Sequence, residues 1–159
     1  MCAEVAQQIE ISKPGLSFNG DLIFGGFSMG SVMAYHMGLR YVQEHHSEMN
    51  VSKVFGLSGF LANDSAVYQV QGNKPEVFVY HGAMDQMVPE VWGRQTFENL
   101  QKSGVDSISY DTGNFGHELN RKELHKLSKW LFTEKVEEDG KKLGLDSVKY
   151  DYNKIPDKF

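Results

Sequence analysis

A single cysteine, Cys2, stands among 159 residues, so no disulfide can close within the chain. That scarcity fits a reducing compartment, and a cytoplasmic setting is expected. One thiol is weak evidence for chemistry, and Cys2 reads as incidental. Positive charge is also in short supply: 16 Lys and Arg against 21 Asp and Glu leave a net charge of -5. With no long basic cluster, a general nucleic-acid binder is disfavoured, because neutralising phosphates takes Lys and Arg. No apolar run approaches the length of a bilayer-spanning helix, so stable membrane insertion is not expected. The opening Met1-Cys2-Ala3-Glu4 has neither the basic region nor the apolar stretch of a secretory leader. Internal repeats and low-complexity tracts are missing too. What is present, 40% apolar and 23% charged residues, is the composition of a soluble domain large enough for a core.

Along the chain, strand and helix patterns alternate. Residues 3–12 predict a short helix, with Val5 and Ile9 on one face and Pro14-Gly15 ending it. Leu22-Ile23-Phe24 predicts a buried strand that stops at Gly25-Gly26. Over residues 29–44, Val32, Met33, Tyr35, Met37, Leu39 and Tyr41 point almost all round, the pattern of a buried helix. Its Met29, Met33 and Met37 read as core filler rather than ligands. Further strands are expected at 51–57, 77–80 and 108–110. A helix from Pro89 to Lys102 separates the last two, and its Trp92, Phe97 and Leu100 are expected to face the core. A last helix begins near Asn120, where Asn120 and Glu123 have capping-box spacing, and Leu124, Leu127 and Leu131 form its apolar stripe. Four strands alternating with helices imply βαβ units and a parallel sheet, an α/β fold. Residues 1–135 read as the domain, and 136–159, rich in Lys, Asp and Glu, as a charged, solvated tail.

Gly26-Phe27-Ser28-Met29-Gly30 fits G-x-S-x-G, and it follows a predicted strand and opens a predicted helix. A turn this sharp would drive together side chains two before and two after the serine, and glycine at 26 and 30 removes them. The bend lifts the Ser28 hydroxyl clear and sets the N–H groups of a helix start beside it, where negative charge is favoured. A glycine-rich turn that merely contains a serine is the bland alternative.

A serine hydroxyl attacks only when a neighbour takes its proton, and histidine does this best near neutral pH. Of the six histidines, His36 lies on the buried helix, His45 and His46 at its frayed end, and His125 among charges in the last helix. His81 ends a strand just before Gly82, a place close to the site, but a structural role is favoured for it. His117 sits in the loop between the last strand and the last helix, at the sheet edge where open α/β sheets bind ligands. The imidazole in turn needs an acid to set its tautomer and balance its charge. Asp85, directly after the third strand, is favoured over Asp64 and Asp111, although an aspartate here could also simply cap the next turn. The chain order Ser28, Asp85, His117 is that of the α/β-hydrolases.

These segments resemble the acyl-protein thioesterase/lysophospholipase family of α/β-hydrolases, and within it the lysophospholipase-like protein 1 branch. The resemblance is carried by 25–30, by Val54-Phe55-Gly56-Leu57-Ser58-Gly59-Phe60-Leu61, by 65–69, by His81 to Asp85 and by Gly116-His117-Glu118-Leu119. It spans about residues 3–135. It implies Ser28 as nucleophile, Asp85 as orienting acid, His117 as base and the Met29 N–H as an oxyanion donor. It further implies hydrolysis of acyl esters and thioesters, S-acylated proteins among the substrates, with no metal or organic cofactor. Where many members carry proline after the acid, this chain has Gln86, which suits the lysophospholipase-like branch. The family also begins with further strands and a His-Gly-rich loop that supplies a second oxyanion donor. The chain is therefore expected to hold the C-terminal part of the parallel sheet, about four strands, with the N-terminal strands missing. The competing expectation is a truncated, catalytically impaired product that binds an acyl group or a partner. Losing one oxyanion donor typically costs about 10²- to 10³-fold in rate.

Overall fold

Four strands, β1 (Leu22–Phe27), β2 (Val51–Leu57), β3 (Glu76–Gly82) and β4 (Ile108–Gly113), lie side by side in chain order and are parallel throughout. The computed structural model describes residues 21–46, 49–72 and 74–143, with side chains through Phe132. The helix expected at 3–12 and the end of the charged stretch lie outside the described residues.

Each crossover follows from its local sequence. Helix α1 starts at Met29–His36, widens into a π-helical turn at Met37–Tyr41 and closes with Val42–His45. It packs on β1 and β2, burying Ala34, Tyr35, Met37, Leu39 and Val42, while Val32, Met33 and Tyr41 are half-buried. Between β2 and β3 the only regular turn among the described residues is a 3₁₀ segment, Ala66–Gln69, capped by the Ser65 side chain. Helix α2 (Glu90–Lys102) joins β3 to β4. Pro89, with no N–H to leave unsatisfied, stands just before it, and Gly104 at φ 89° ends the turn that follows.

The sheet register decides what is buried. Val54 pairs with Val77, and Val77 with Ile108, so β-branched residues line up across the sheet. On that face Val54, Val77 and Val79 meet Ala34, Tyr35 and Leu39 of α1 and Leu100 of α2 in one core. Successive β3 residues alternate faces, and all of Val77 to Gly82 is buried, which explains its unbroken apolar run. On the opposite face Phe78, Tyr80 and Phe115 stack in sequence.

Four expectations are corrected. Met29, read as core filler with Met33 and Met37, is 78% exposed because it stands at the first position of α1, beyond the face that packs on the sheet. The strand at Leu22-Ile23-Phe24, read as buried, is only partly so: Ile23 is 47% exposed on β1, which is the sheet edge among the described residues. It also runs through Gly25-Gly26 to Phe27, because pairing with Phe55, Gly56 and Leu57 carries the ladder past the glycines. Trp92 does not face the core. α2 buries Gly93, Thr96 and Leu100, a stripe that leaves Trp92 42% exposed against the Phe60 ring.

The described residues from Glu118 to Leu143 belong to a separate unit. Its helix α3 (Arg121–Leu143) changes direction at Phe132, where φ -119° and ψ 16° leave helical geometry. The capping box forms: the Asn120 side chain accepts from Lys122 N–H at 2.8 Å, and Glu123 accepts from Asn120 N–H at 3.2 Å. Leu127 is buried, with Leu124 and Leu131 half-buried beside it. Among the described residues no helix is long and apolar enough to cross a membrane.

Candidate active site

The strand-to-helix turn at Ser28 is made by one residue. Ser28 has φ 55° and ψ -121°, a backbone conformation that side-chain-bearing residues rarely adopt. Neighbouring groups hold it there. Ser28 N–H donates to Leu57 O at 2.8 Å, and Ser31 N–H donates back to Ser28 O at 3.0 Å. The buried Ser31 hydroxyl lies 2.9 Å from Gly26 O and 2.8 Å from Leu57 O, sharing its one hydrogen between the ends of β1 and β2. Sequence reasoning missed Ser31. The signal was a hydroxyl one turn into an otherwise apolar helix, where such groups seek a carbonyl.

The two motif glycines differ in what they tolerate. A Cβ on Gly26 would sit 2.2 Å from the Gly30 carbonyl carbon and 2.3 Å from its oxygen. On Gly30 a Cβ would meet nothing within 4 Å among the described residues. The close approach is therefore relieved at Gly26 alone.

The loops after β3 and β4 are stitched together. Ala83 N–H donates to Gly113 O at 2.8 Å and Met84 N–H to Phe115 O at 3.0 Å, while Asp85 N–H turns back to Gly82 O at 3.1 Å. This sets the Asp85 carboxylate against the loop that carries His117. Its Oδ1 accepts N–H groups of Met87 and Val88, each at 2.9 Å, so Asp85 also caps its own turn. Its Oδ2 lies 2.7 Å from His117 Nδ1, and His117 Nε2 lies 2.9 Å from Ser28 Oγ. The tautomer that satisfies both contacts has Nδ1–H donating to Asp85 and Nε2 accepting the Ser28 hydroxyl proton. The Phe27 ring packs on the imidazole at 4.8 Å. Burial pushes the Asp85 carboxyl up, but the Val88 N–H, the His117 ring and the Met87 N–H outweigh it and hold the group below its ordinary value.

The other residues considered lie elsewhere or bond elsewhere. His36 is half-buried on α1, its pKa lowered by burial and by Arg40. His45 bonds Tyr41 O and stacks on the Tyr41 ring. His125 belongs to the C-terminal unit. Asp64 is exposed, and Asp111 accepts from Thr112 N–H at the end of β4. Met29 opens α1, so its N–H has no carbonyl in a preceding turn to bond. Around these polar groups the chain exposes methionines: Met29, Met84 and Met87 are 78%, 54% and 74% exposed. Among the described residues no cluster of three or more His, Cys, Asp or Glu is arranged to hold a metal ion.

The sequence profile of the phospholipase/carboxylesterase family matches residues 5–135. Lysophospholipase-like protein 1 of Mus musculus is 42% identical over 116 residues, which is 70% of this chain and 46% of that protein. Acyl-protein thioesterase 1 homolog 1 of Dictyostelium discoideum is 25% identical over 111 residues, 69% of this chain and 47% of that protein. The chain thus spans about half the length of the curated relatives it matches. In fold it resembles the crystal structure of Zea mays acyl-protein thioesterase 2, with TM-score 0.65, 24% identity, and coverage of 83% of this chain and 62% of that one. The parallel sheet is accordingly that of an α/β-hydrolase, and with a profile match over most of its length the chain belongs to the phospholipase/carboxylesterase family.

Proposed function

We propose that this chain carries the catalytic residues of a serine hydrolase that cleaves carboxylic esters or thioesters of acyl groups in the cytoplasm, S-acylated proteins among them. The observation that supports this best is the continuous hydrogen-bonded line from Ser28 Oγ through His117 to Asp85. Ser28 Oγ attacks the acyl carbon while His117 Nε2 takes its proton. The Met29 N–H, at the positive end of α1, faces the oxyanion that forms. Nε2 then returns the proton to the departing alcohol or thiol. Water, deprotonated the same way, releases the acid and restores Ser28. Asp85 stays ionised throughout, because its depressed pKa keeps it a carboxylate at neutral pH, and it balances the imidazolium. The exposed methionines flanking Ser28 and Asp85 offer an adaptable apolar surface suited to acyl chains.

A fluorophosphonate probe tests the reading. Labelling is expected on Ser28 and absent in Ser28→Ala, with nitrophenyl-ester turnover lost in parallel. Folded protein that takes up no probe, or labels equally without the Ser28 hydroxyl, would overturn it.

A further inference from the structure

The Asp85 carboxylate has a second histidine beside it. His81, on β3, is fully buried, and its Nε2 lies 2.9 Å from Val88 O and 3.5 Å from Asp85 Oδ2. Both neighbours are oxygens, so Nε2 carries the ring proton and donates it chiefly to Val88 O. Val88 is also one of the two residues whose N–H groups hold Asp85 Oδ1. The contacts therefore form a continuous relay: His81 grips Val88, Val88 grips Asp85, and Asp85 grips His117.

The far side of the ring shows that this placement is specific. His81 Nδ1 is buried with no hydrogen-bond partner among the described residues. It packs against Gly93 of α2, where a Cβ would lie 2.3 Å from Nδ1. A buried polar atom left unpaired costs free energy. An apolar residue of similar size would fill this space without that cost. The ring is of use on its Nε2 side alone.

The geometry points to His81 as a positioning residue for the hydrolysis proposed above: it pins the 86–88 turn to the rigid strand β3 and so fixes the carboxylate edge that meets His117. It touches neither Ser28 nor the reacting atoms. This inference rests on the hydrolase reading but makes one claim that survives without it, the dependence of the Asp85–His117 hydrogen bond on the His81 Nε2–H.

The test uses two amides of different reach. In His81→Gln the amide N–H falls near the place of Nε2, whereas in His81→Asn it falls short of Val88 O. Two readouts apply: kcat and KM per probe-titrated site, and the NMR resonance of the His117 Nδ1 proton, which survives water exchange only while its bond to the carboxylate is intact. The Asn variant should lose on the order of 10- to 100-fold in kcat, the scale of a misplacement approaching 1 Å, with little change in KM and with that resonance gone. The Gln variant should keep most of both. Wild-type kcat and an intact resonance in the Asn variant would overturn the inference. So would equal loss in both variants or unfolding of both, since a purely structural ring then accounts for the result. A wild-type protein that shows the resonance but turns over no ester would instead refute the hydrolase reading, and the resonance alone would then decide the role of His81.

Discussion

The two glycines of G-x-S-x-G look equivalent in sequence, yet alanine should act oppositely at them. At Gly26 the new Cβ would press on the Gly30 carbonyl group at 2.2–2.3 Å. The obstacle is backbone in the first turn of α1, so no side chain can swing aside. Reaching even a tight 3.4 Å contact requires the start of α1 to retreat from β1 by about 1 Å. Overpacking of this kind costs roughly 1–3 kcal/mol. The same shift moves Ser28 away from His117, and a misplacement near 1 Å is worth about 100-fold in rate. Gly30→Ala meets open space inside a helix, where alanine is favoured over glycine by roughly 0.5–1 kcal/mol. The assay is urea denaturation of both variants alongside nitrophenyl-ester turnover per probe-titrated site. Gly26→Ala should unfold at lower urea and turn over about 100-fold more slowly, while Gly30→Ala should be at least as stable as the parent and keep most of its rate. Equal damage at both positions, or none at Gly26, would refute the claim that the close approach is one-sided.

Asp85→Asn should leave the turn at 86–88 intact, since an amide oxygen still accepts its N–H groups, but should lower kcat by about 10⁴-fold with KM little changed. Because the folded protein holds Asp85 below its ordinary pKa, the stability it contributes is present at neutral pH and is lost as pH falls through the carboxylate range; the variant's acid-unfolding limb should be correspondingly flatter. Glu123 predicts the opposite slope. Burial raises its carboxyl from 4.5 to about 7, with the Asn120 N–H pulling it partly back, so the folded state holds a proton the unfolded state has released and stability should decline from about pH 4.5 to 7. Glu123→Gln keeps an acceptor for Asn120 and should remove that decline; identical urea midpoints at pH 5 and pH 8 in the parent protein would contradict it.

Local patterns carried far in this chain because the relevant physics is local. Alternating strand and helix segments implied a parallel α/β sheet, and the structure has one, with four strands among the described residues where about four were expected. The Asn120–Glu123 spacing marked the start of α3, since a capping box involves only neighbours. The helix from 29 was legible from its apolar residues, although its π-helical turn was not, because that turn answers to packing against β1 and β2. Trp92 shows the limit of composition: a large apolar side chain was assumed to face inward, whereas the buried stripe of α2 runs through Gly93, Thr96 and Leu100. Ser31 had no reading, and His81 had a place at the strand end but no partner, because the groups they bond are carbonyls, Leu57 and Val88, and backbone atoms leave no mark in a residue code.

The chemistry available was settled by residue types and short spacings: a serine on a bend that needs glycine at 26, an imidazole on a loop, a carboxylate after a strand. Their meeting belongs to the tertiary fold. His117 lies 89 positions from Ser28 and 32 from Asp85, and what brings the three within 2.7–2.9 Å contacts is the common end of parallel strands in register. Strand direction and register act over the whole sheet, so no window of sequence contains them.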